Sequence, residues 1–410
     1  MKKLTSLILA MITMFACAVP AFAEDTAQIQ ETAPSQKQDY DTAYYEQFKG
    51  KELELNVYNW GEYISNGEDN SMDVNKEFEA LTGIKVNYTT FDTNESMYAK
   101  LKSGANSYDV VIPSDYMVSR LVKENMLEPL DFKNIPNFKN IDEKFLNPSY
   151  DPENKFSVPY TFGTVGIIYN KDMVKGEITS WDSLWDTQYA GKILMFKNPR
   201  DAFAIALFKL GYNVNTEDEK QLQEAADLLK QQKSLVQAYV MDQIFDKMQG
   251  GEAALAPYYA GDFYTMKEVN DKLEFCVPKE GTNLFVDAVC IPKGAANKQA
   301  AEMYINFLNE PQVAAANIEY ICYSTPNKAA LALLDEETRN DPVRYPNTEQ
   351  MKNMQAFTYL PDKTNLLLDQ LWTEILSDDA NYFNWAMPLF LVAAVVLAVV
   401  TFVMRKKKKR

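Results

Sequence analysis

Tyr58-Asn59-Trp60-Gly61-Glu62-Tyr63 sets three aromatic rings and one carboxylate within six residues, directly after the alternating run Leu53-Glu54-Leu55-Asn56-Val57. A strand ending in such a group presents π faces and a charge at one edge of a sheet, where open α/β folds bind their ligands. Rings beside a carboxylate suit an organic cation, which is drawn to the ring quadrupole and to the opposite charge. Related groups recur as Ser114-Asp115-Tyr116, Arg200-Asp201, Tyr258-Tyr259-Ala260-Gly261-Asp262 and Phe285-Val286-Asp287, each next to an apolar run. A single acid at a strand end commonly caps the following helix. Five such groups point instead to a shared binding cleft.

The composition removes several chemistries. The chain has no histidine, which excludes Ser-His-Asp and Cys-His catalysis and removes the commonest metal ligand. Cys276, Cys290 and Cys322 follow the N-terminal segment without a CxxC pattern, so neither a metal site nor a redox centre is expected, and no cofactor. Spacing alone does not pair Cys276 with Cys290. The formal charge is −16; the N-terminal 23 residues carry two lysines and the C-terminal tail six basic residues, so the part between carries −24. That balance argues against nucleic acid and mildly favours cationic ligands.

The elements that must position these groups follow from periodicity. Leu53–Asn59 reads as a strand; Val74, Phe78 and Leu81 recur at helical spacing and stop at Gly83; Ile84, Val86 and Tyr88 alternate as a second strand. Met97 and Leu101 share a helical face before Gly104, Tyr108–Pro113 is a continuous apolar run, and Met117, Leu121 and Val122 mark a further helix. This βαβαβα order implies a parallel sheet with right-handed crossovers. A second series has strands at Val165–Tyr169, Lys192–Phe196, Ala253–Tyr259, Leu273–Val277 and Ala288–Pro292. Its helices carry Phe203, Leu207 and Leu210, then Lys220–Lys233 and Lys298–Leu308, with Ser180 capping a short one. The length from Lys51 to about Asp379 exceeds one comfortable core, so two domains are expected.

The ends read differently. Residues 1–23 combine Lys2 and Lys3, a largely apolar stretch and Ala21-Phe22-Ala23, the pattern of a cleaved secretory signal. Residues 24–50 are polar and read as a disordered spacer. Residues 386–404 carry no charge and nearly suffice to span a bilayer, with Tyr382, Phe383 and Trp385 before them and the basic run 405–410 after. The expectation is an exported protein held at the outer face of the cytoplasmic membrane by a C-terminal transmembrane helix, with 405–410 as its cytoplasmic tail.

With these residues in place the chain resembles the polyamine-binding proteins of bacterial spermidine/putrescine ABC importers. The landmarks are Tyr58–Tyr63, Asn94-Glu95-Ser96-Met97-Tyr98-Ala99-Lys100-Leu101, Tyr108–Ser114, Thr179–Trp185 and Tyr323-Ser324-Thr325-Pro326-Asn327, spread from about Leu53 to Ser377. The resemblance implies an α/β, two-lobe, periplasmic-binding-protein-like (type II) fold with a hinge. Lobe one would be 51–163 with 287–331, and lobe two 164–286 with 332–380. It implies a cleft lined by Trp60, Tyr63, Ser114 and Tyr116 from lobe one, and by Asp201, Tyr259 and Asp262 from lobe two. Phe285 and Asp287 would stand at the crossover and Tyr323 on the return segment, with Asp287 holding an ammonium group. The expected partners are a polyamine and an ABC permease, with the binding protein a monomer and not an enzyme. Asn198 stands where spermidine-preferring members tend to carry an acid, Gly61 replaces a hydroxyl residue, and Tyr259 and Phe285 replace tryptophans. These departures lean towards putrescine. Two other readings stay open on the residues alone: the same fold for an anion, a metal or a sulfonate, which requires cleft arginines or metal ligands, or a surface glycosidase using Asp262 and Asp287 as an acid pair.

Overall fold

Alternation and capping set the first half of the molecule. The computed structural model describes residues 40–104 and 107–377. Strand β1 (Glu54–Trp60) pairs in parallel with β2 (Lys85–Phe91) and with the short β3 (Val110–Val111). Between them run helices α1 (Val74–Thr82) and α2 (Asn94–Ser103), followed by α3 (Asp115–Lys123). Asp73 caps α1 by accepting from the Lys76 amide, and Thr93 with Ser96 forms a reciprocal capping box on α2. Gly83 and Gly104 end these helices at φ 75° and 64°, the left-handed conformation that glycine adopts without strain. The expected parallel βαβαβα order is therefore present.

The remaining strands are β4 (Ser157–Asn170), β5 (Ile193–Phe196), β6 (Val236–Val240), β7 (Leu255–Tyr259), β8 (Leu273–Cys276), β9 (Thr282–Cys290) and β10 (Met354–Gln355). The main path is β2-β1-β3-β9-β4-β7-β5-β6, with β8 on β4 and β10 on β9. β4 joins the two halves: Ser157 to Thr164 pairs antiparallel with β9, and Val165 to Tyr169 pairs antiparallel with β7. Periodicity detects only the second part of β4, because Pro159 and Gly163 interrupt the first. β9 begins at Thr282, not Ala288, and the half-buried β6 gives no clean alternation in Val-Gln-Ala-Tyr-Val.

Two apolar cores follow from the pleat. Leu55 and Val57 face one core with Phe78, Val110, Ile112, Val289 and Tyr304. Tyr58, on the opposite face of β1, belongs to the other with Ile167, Leu194, Phe196 and Leu255. Helices α4 (Pro199–Leu210), α5 (Glu219–Gln232), α6 (Ile244–Gln249), α7 (Ala260–Val269), α8 (Lys298–Leu308) and α9 (Pro311–Ile321) complete the framework used below.

Three expectations change or fall elsewhere. The spacer reading does not extend to Gly50: Thr42–Tyr45 is a helical turn, and Tyr40, Tyr45 and Phe48 are buried. Tyr45 packs edge-on against Phe307 at 5.8 Å and its hydroxyl donates to Glu310 Oε1 at 2.6 Å. Aromatics spaced along a polar run are what fasten it. Cys276, Cys290 and Cys322 are free thiols. The signal segment 1–23, the spacer to residue 39 and the apolar segment 386–404 lie outside the described residues, among which no helix is long and apolar enough to cross a membrane.

Candidate ligand-binding cleft

Every strand that ends at the cleft brings a group to it. Trp60 closes β1 and Tyr63 follows; Ser114 and Tyr116 start α3 after β3; Asp201 is in the first turn of α4 after β5; Tyr259 closes β7 and Asp262 opens α7. On β9, Asn283, Phe285 and Asp287 are two residues apart and so share one face. Tyr323 follows α9. All ten residues named from the sequence line one cavity of about 530 Å³, its open mouth included. Asn94, Met241, Asp242, Tyr258, Asn283 and Phe357 line it as well. Asp242 is the acid among them that sequence reasoning missed, because it follows the unrecognised strand β6.

Asp287 is buried in the lining, 4 % exposed. The Tyr63 hydroxyl donates to its Oδ2 at 2.6 Å, while its Oδ1 has no hydrogen-bond partner. Burial pushes its carboxyl up to about 6, against the pull of the Ser114 hydroxyl, which lies near without hydrogen-bonding to Oδ1, and of the Tyr63 hydroxyl. Asp201 Oδ2 accepts from Asn198 Nδ2 at 2.6 Å and from the Tyr259 hydroxyl at 3.0 Å. Burial raises Asp201 to about 7; Glu95 and Asp287 add to the rise, and Tyr259 and Arg200 oppose it. Asp262 is pushed well above the usual carboxylate range by burial, with Asp242 and Glu62 contributing and a hydrogen bond from Tyr323 opposing.

Tyr63, Tyr323, Phe285 and Tyr259 form a connected row of rings, from which Trp60 stands apart. Tyr63 meets Tyr323 edge-on at 4.6 Å, Tyr259 meets Phe285 at 5.4 Å, and Trp60 leans on Phe91 at 4.5 Å. Close approach rests on glycine at two points. A Cβ on Gly163, which pairs with Phe285 across β4 and β9, would lie 2.8 Å from the Phe285 ring, and one on Gly261 would overlap the Tyr323 ring. Tyr63 is held in turn by Tyr160, whose hydroxyl donates to the Tyr63 carbonyl at 2.8 Å and accepts from Asn317 at 2.8 Å. Tyr116 turns its hydroxyl to Glu95 at 2.9 Å.

The cavity thus holds four aspartates, Asp201, Asp242, Asp262 and Asp287, among its lining residues, and no lysine or arginine. Arg200, the one basic residue of the strand-end groups, points behind the cleft, where it donates to Asn215 Oδ1 at 2.7 Å and lies 4.7 Å over the Phe357 ring. Among the described residues no group of three acids or cysteines is placed to hold a metal ion. Desolvated acids facing one another raise their own pKa values; a cation between them reverses that.

Residues 74–346, well over half of the 410-residue chain, match the model of the bacterial extracellular solute-binding proteins. The chain belongs to that family. Its members are solute-binding components of transporters and not enzymes, which removes the glycosidase reading. The chain is 39% identical over 301 residues to the spermidine/putrescine-binding periplasmic protein of Escherichia coli, covering 73% of this chain and 85% of that one. It is 34% identical over 342 residues to the putrescine-binding periplasmic protein SpuD of Pseudomonas aeruginosa, covering 79% and 92%. The solved spermidine/putrescine ABC transporter substrate-binding protein of Streptococcus pneumoniae superposes with a TM-score of 0.66 at 39% identity, over 79% of this chain and 98% of that one. The mixed α/β architecture is therefore that of the periplasmic binding proteins.

Proposed function

We propose that the protein captures polyamines outside the cytoplasm and passes them to an ABC permease. One observation carries this reading: four carboxylates and several aromatic rings line a cavity to which no basic side chain contributes. A diamine or triamine places ammonium groups at the ends of an apolar methylene chain. The acids anchor the ends, and the rings cover the middle while adding cation–π attraction. The spare acceptor on Asp287 Oδ1 is an ammonium position. Asp287 adds to the rise of Asp201, and Asp242 to that of Asp262. The relatives named for spermidine and putrescine support the same class of ligand.

Putrescine is the favoured ligand in this proposal. Asn198 caps α4 and donates to Asp201 without lining the cavity, so it supplies no charge for a third ammonium group. Lobe closure would occur about the crossings in β4 and β9, where 51–163 with 287–331 and 164–286 with 332–380 are the bodies that move. The apolar segment 386–404 and its basic tail support anchoring in the cytoplasmic membrane.

Isothermal calorimetry and thermal melts of the full chain with putrescine, spermidine, amino acids, sugars and sulfonates test the class. Only the amines are expected to raise the melting temperature, because a ligand that binds the native state alone stabilises it. Failure of both amines to bind would overturn the class, and much tighter spermidine binding would overturn the putrescine preference. Loss of membrane association on removing residues 381–410 is the expected result for the anchor.

A further inference from the structure

Gly61 has no backbone reason to be glycine, since its φ does not lie in the left-handed region. What it leaves is space. A Cβ at this position would overlap Oδ2 of Asp242, the free end of a side chain, which would have to turn its carboxylate away to make room. Asp242 comes from the turn after β6, in the half of the molecule opposite β1. It is exposed as a residue at the mouth of the cleft, while its carboxylate faces inward over Gly61 as part of the lining. Its charged neighbours Asp92 and Glu62 are acids, and it acts in turn on Asp262. Lys197 Nζ stands 3.6 Å from Asp92, and neither of the two lines the cavity. An acid directed at other acids, over a residue stripped of its side chain, is unfavourable in the empty cleft. It becomes favourable when a cation lies between Asp242 and Asp262.

We propose that Asp242 is a further ammonium-binding residue of the cleft and that Gly61 is glycine in order to admit it. The proposal rests on the polyamine reading and deepens it. At the Asp262 end, an ammonium group is held between two carboxylates. The position that a side chain at residue 61 would fill is taken by a charge reaching over from the other side. The two residues form a unit: a hydroxyl at 61 and a carboxylate at 242 compete for one space, so a chain can use one or the other.

This coupling makes the proposal testable with single and double variants of the full chain, titrated calorimetrically with putrescine and with spermidine. Asp287→Asn serves as the reference for loss of an anchor. Asp242→Asn is expected to weaken putrescine binding at least tenfold, with a ligand-free melting temperature equal to or above that of the wild type, since repulsion is relieved. Gly61→Ser is expected to weaken binding by displacing the Asp242 carboxylate, but to have no further effect when made in Asp242→Ala, where the space is vacant. Binding by Asp242→Asn within twofold of wild type, while Asp287→Asn loses affinity, would overturn the role of Asp242 and leave the polyamine reading intact. Additive effects of Gly61→Ser and Asp242→Ala would overturn the proposed unit. A wild-type chain that binds neither amine would overturn both the reading and this inference.

Discussion

Asp287 concentrates the electrostatics of the cleft in one side chain. One oxygen is fixed by Tyr63 and the other is buried without a partner, a state that is unfavourable in the absence of a donor. Replacing it by asparagine keeps the shape and removes the charge. Truncating one partner of a buried charge pair commonly loses about 2–5 kcal/mol, so Asp287→Asn is expected to weaken putrescine binding about a hundredfold, measured by calorimetry. Trp60 is half-buried at the end of β1 and presents its ring to the cavity. Trp60→Ala is expected to weaken binding by about 2 kcal/mol, as truncation of an aromatic anchor does, with the fold retained by circular dichroism. Unchanged affinity in both variants would remove these two residues from the binding surface.

At the scale of elements, two local rules give opposite answers in α7. Gly261 lies in its first turn, where alanine ordinarily favours a helix by about 1 kcal/mol. A methyl group there would overlap the Tyr323 ring, and overpacking of this kind typically destabilises by about 1–3 kcal/mol. Gly261→Ala is therefore expected to lower both the melting temperature and the affinity, since Tyr323 is pushed against Tyr63. An alanine variant that is more stable and binds normally would show that the helix rule prevails. The turn Thr42–Tyr45 gives a second test away from the cleft. Tyr45 is fully buried, and Tyr45→Ala is expected to destabilise by roughly 3 kcal/mol, read from denaturant unfolding, with putrescine affinity unchanged.

Across the whole molecule the acids link binding, stability and pH. Asp287 at about 6 and Asp201 at about 7 hold protons more tightly than an unfolded chain does. Their contribution to stability is thus fully present below the ordinary aspartate range, near pH 4, and is lost as pH rises through 6 to 7. A bound diamine favours the ionised forms, so binding releases protons and tightens as pH rises over the same interval. The ligand-free melting temperature is expected to fall from pH 5 to pH 8, while the shift produced by saturating putrescine grows. A ligand-induced shift that is constant across this range would mean that these carboxylates do not titrate with binding.

Much of this molecule was legible before folding, because the pleat and the helix repeat are local. The strand ends of β1, β3, β5 and β7 could be read from apolar runs stopped by polar groups, and most of the acids and rings found there line the cavity, whereas Tyr58, Glu62 and Asp115 do not. The first half of β4 and the start of β9 were not legible: Pro159 and Gly163 break the pattern that would announce β4 before Val165, and only pairing with β9 makes that half a strand. Asp242 stayed hidden behind the half-exposed β6, and the hydrogen bond that Asn198 gives Asp201 shows only in the fold. The sequence by itself determined which residue types gather at strand ends and hence the charge and class of the ligand proposed for it. Tertiary structure alone decided which acids face one another, that Arg200 turns away from them, and that Gly61 makes room for Asp242. Those outcomes depend on distances between residues remote in the chain, which no local periodicity encodes.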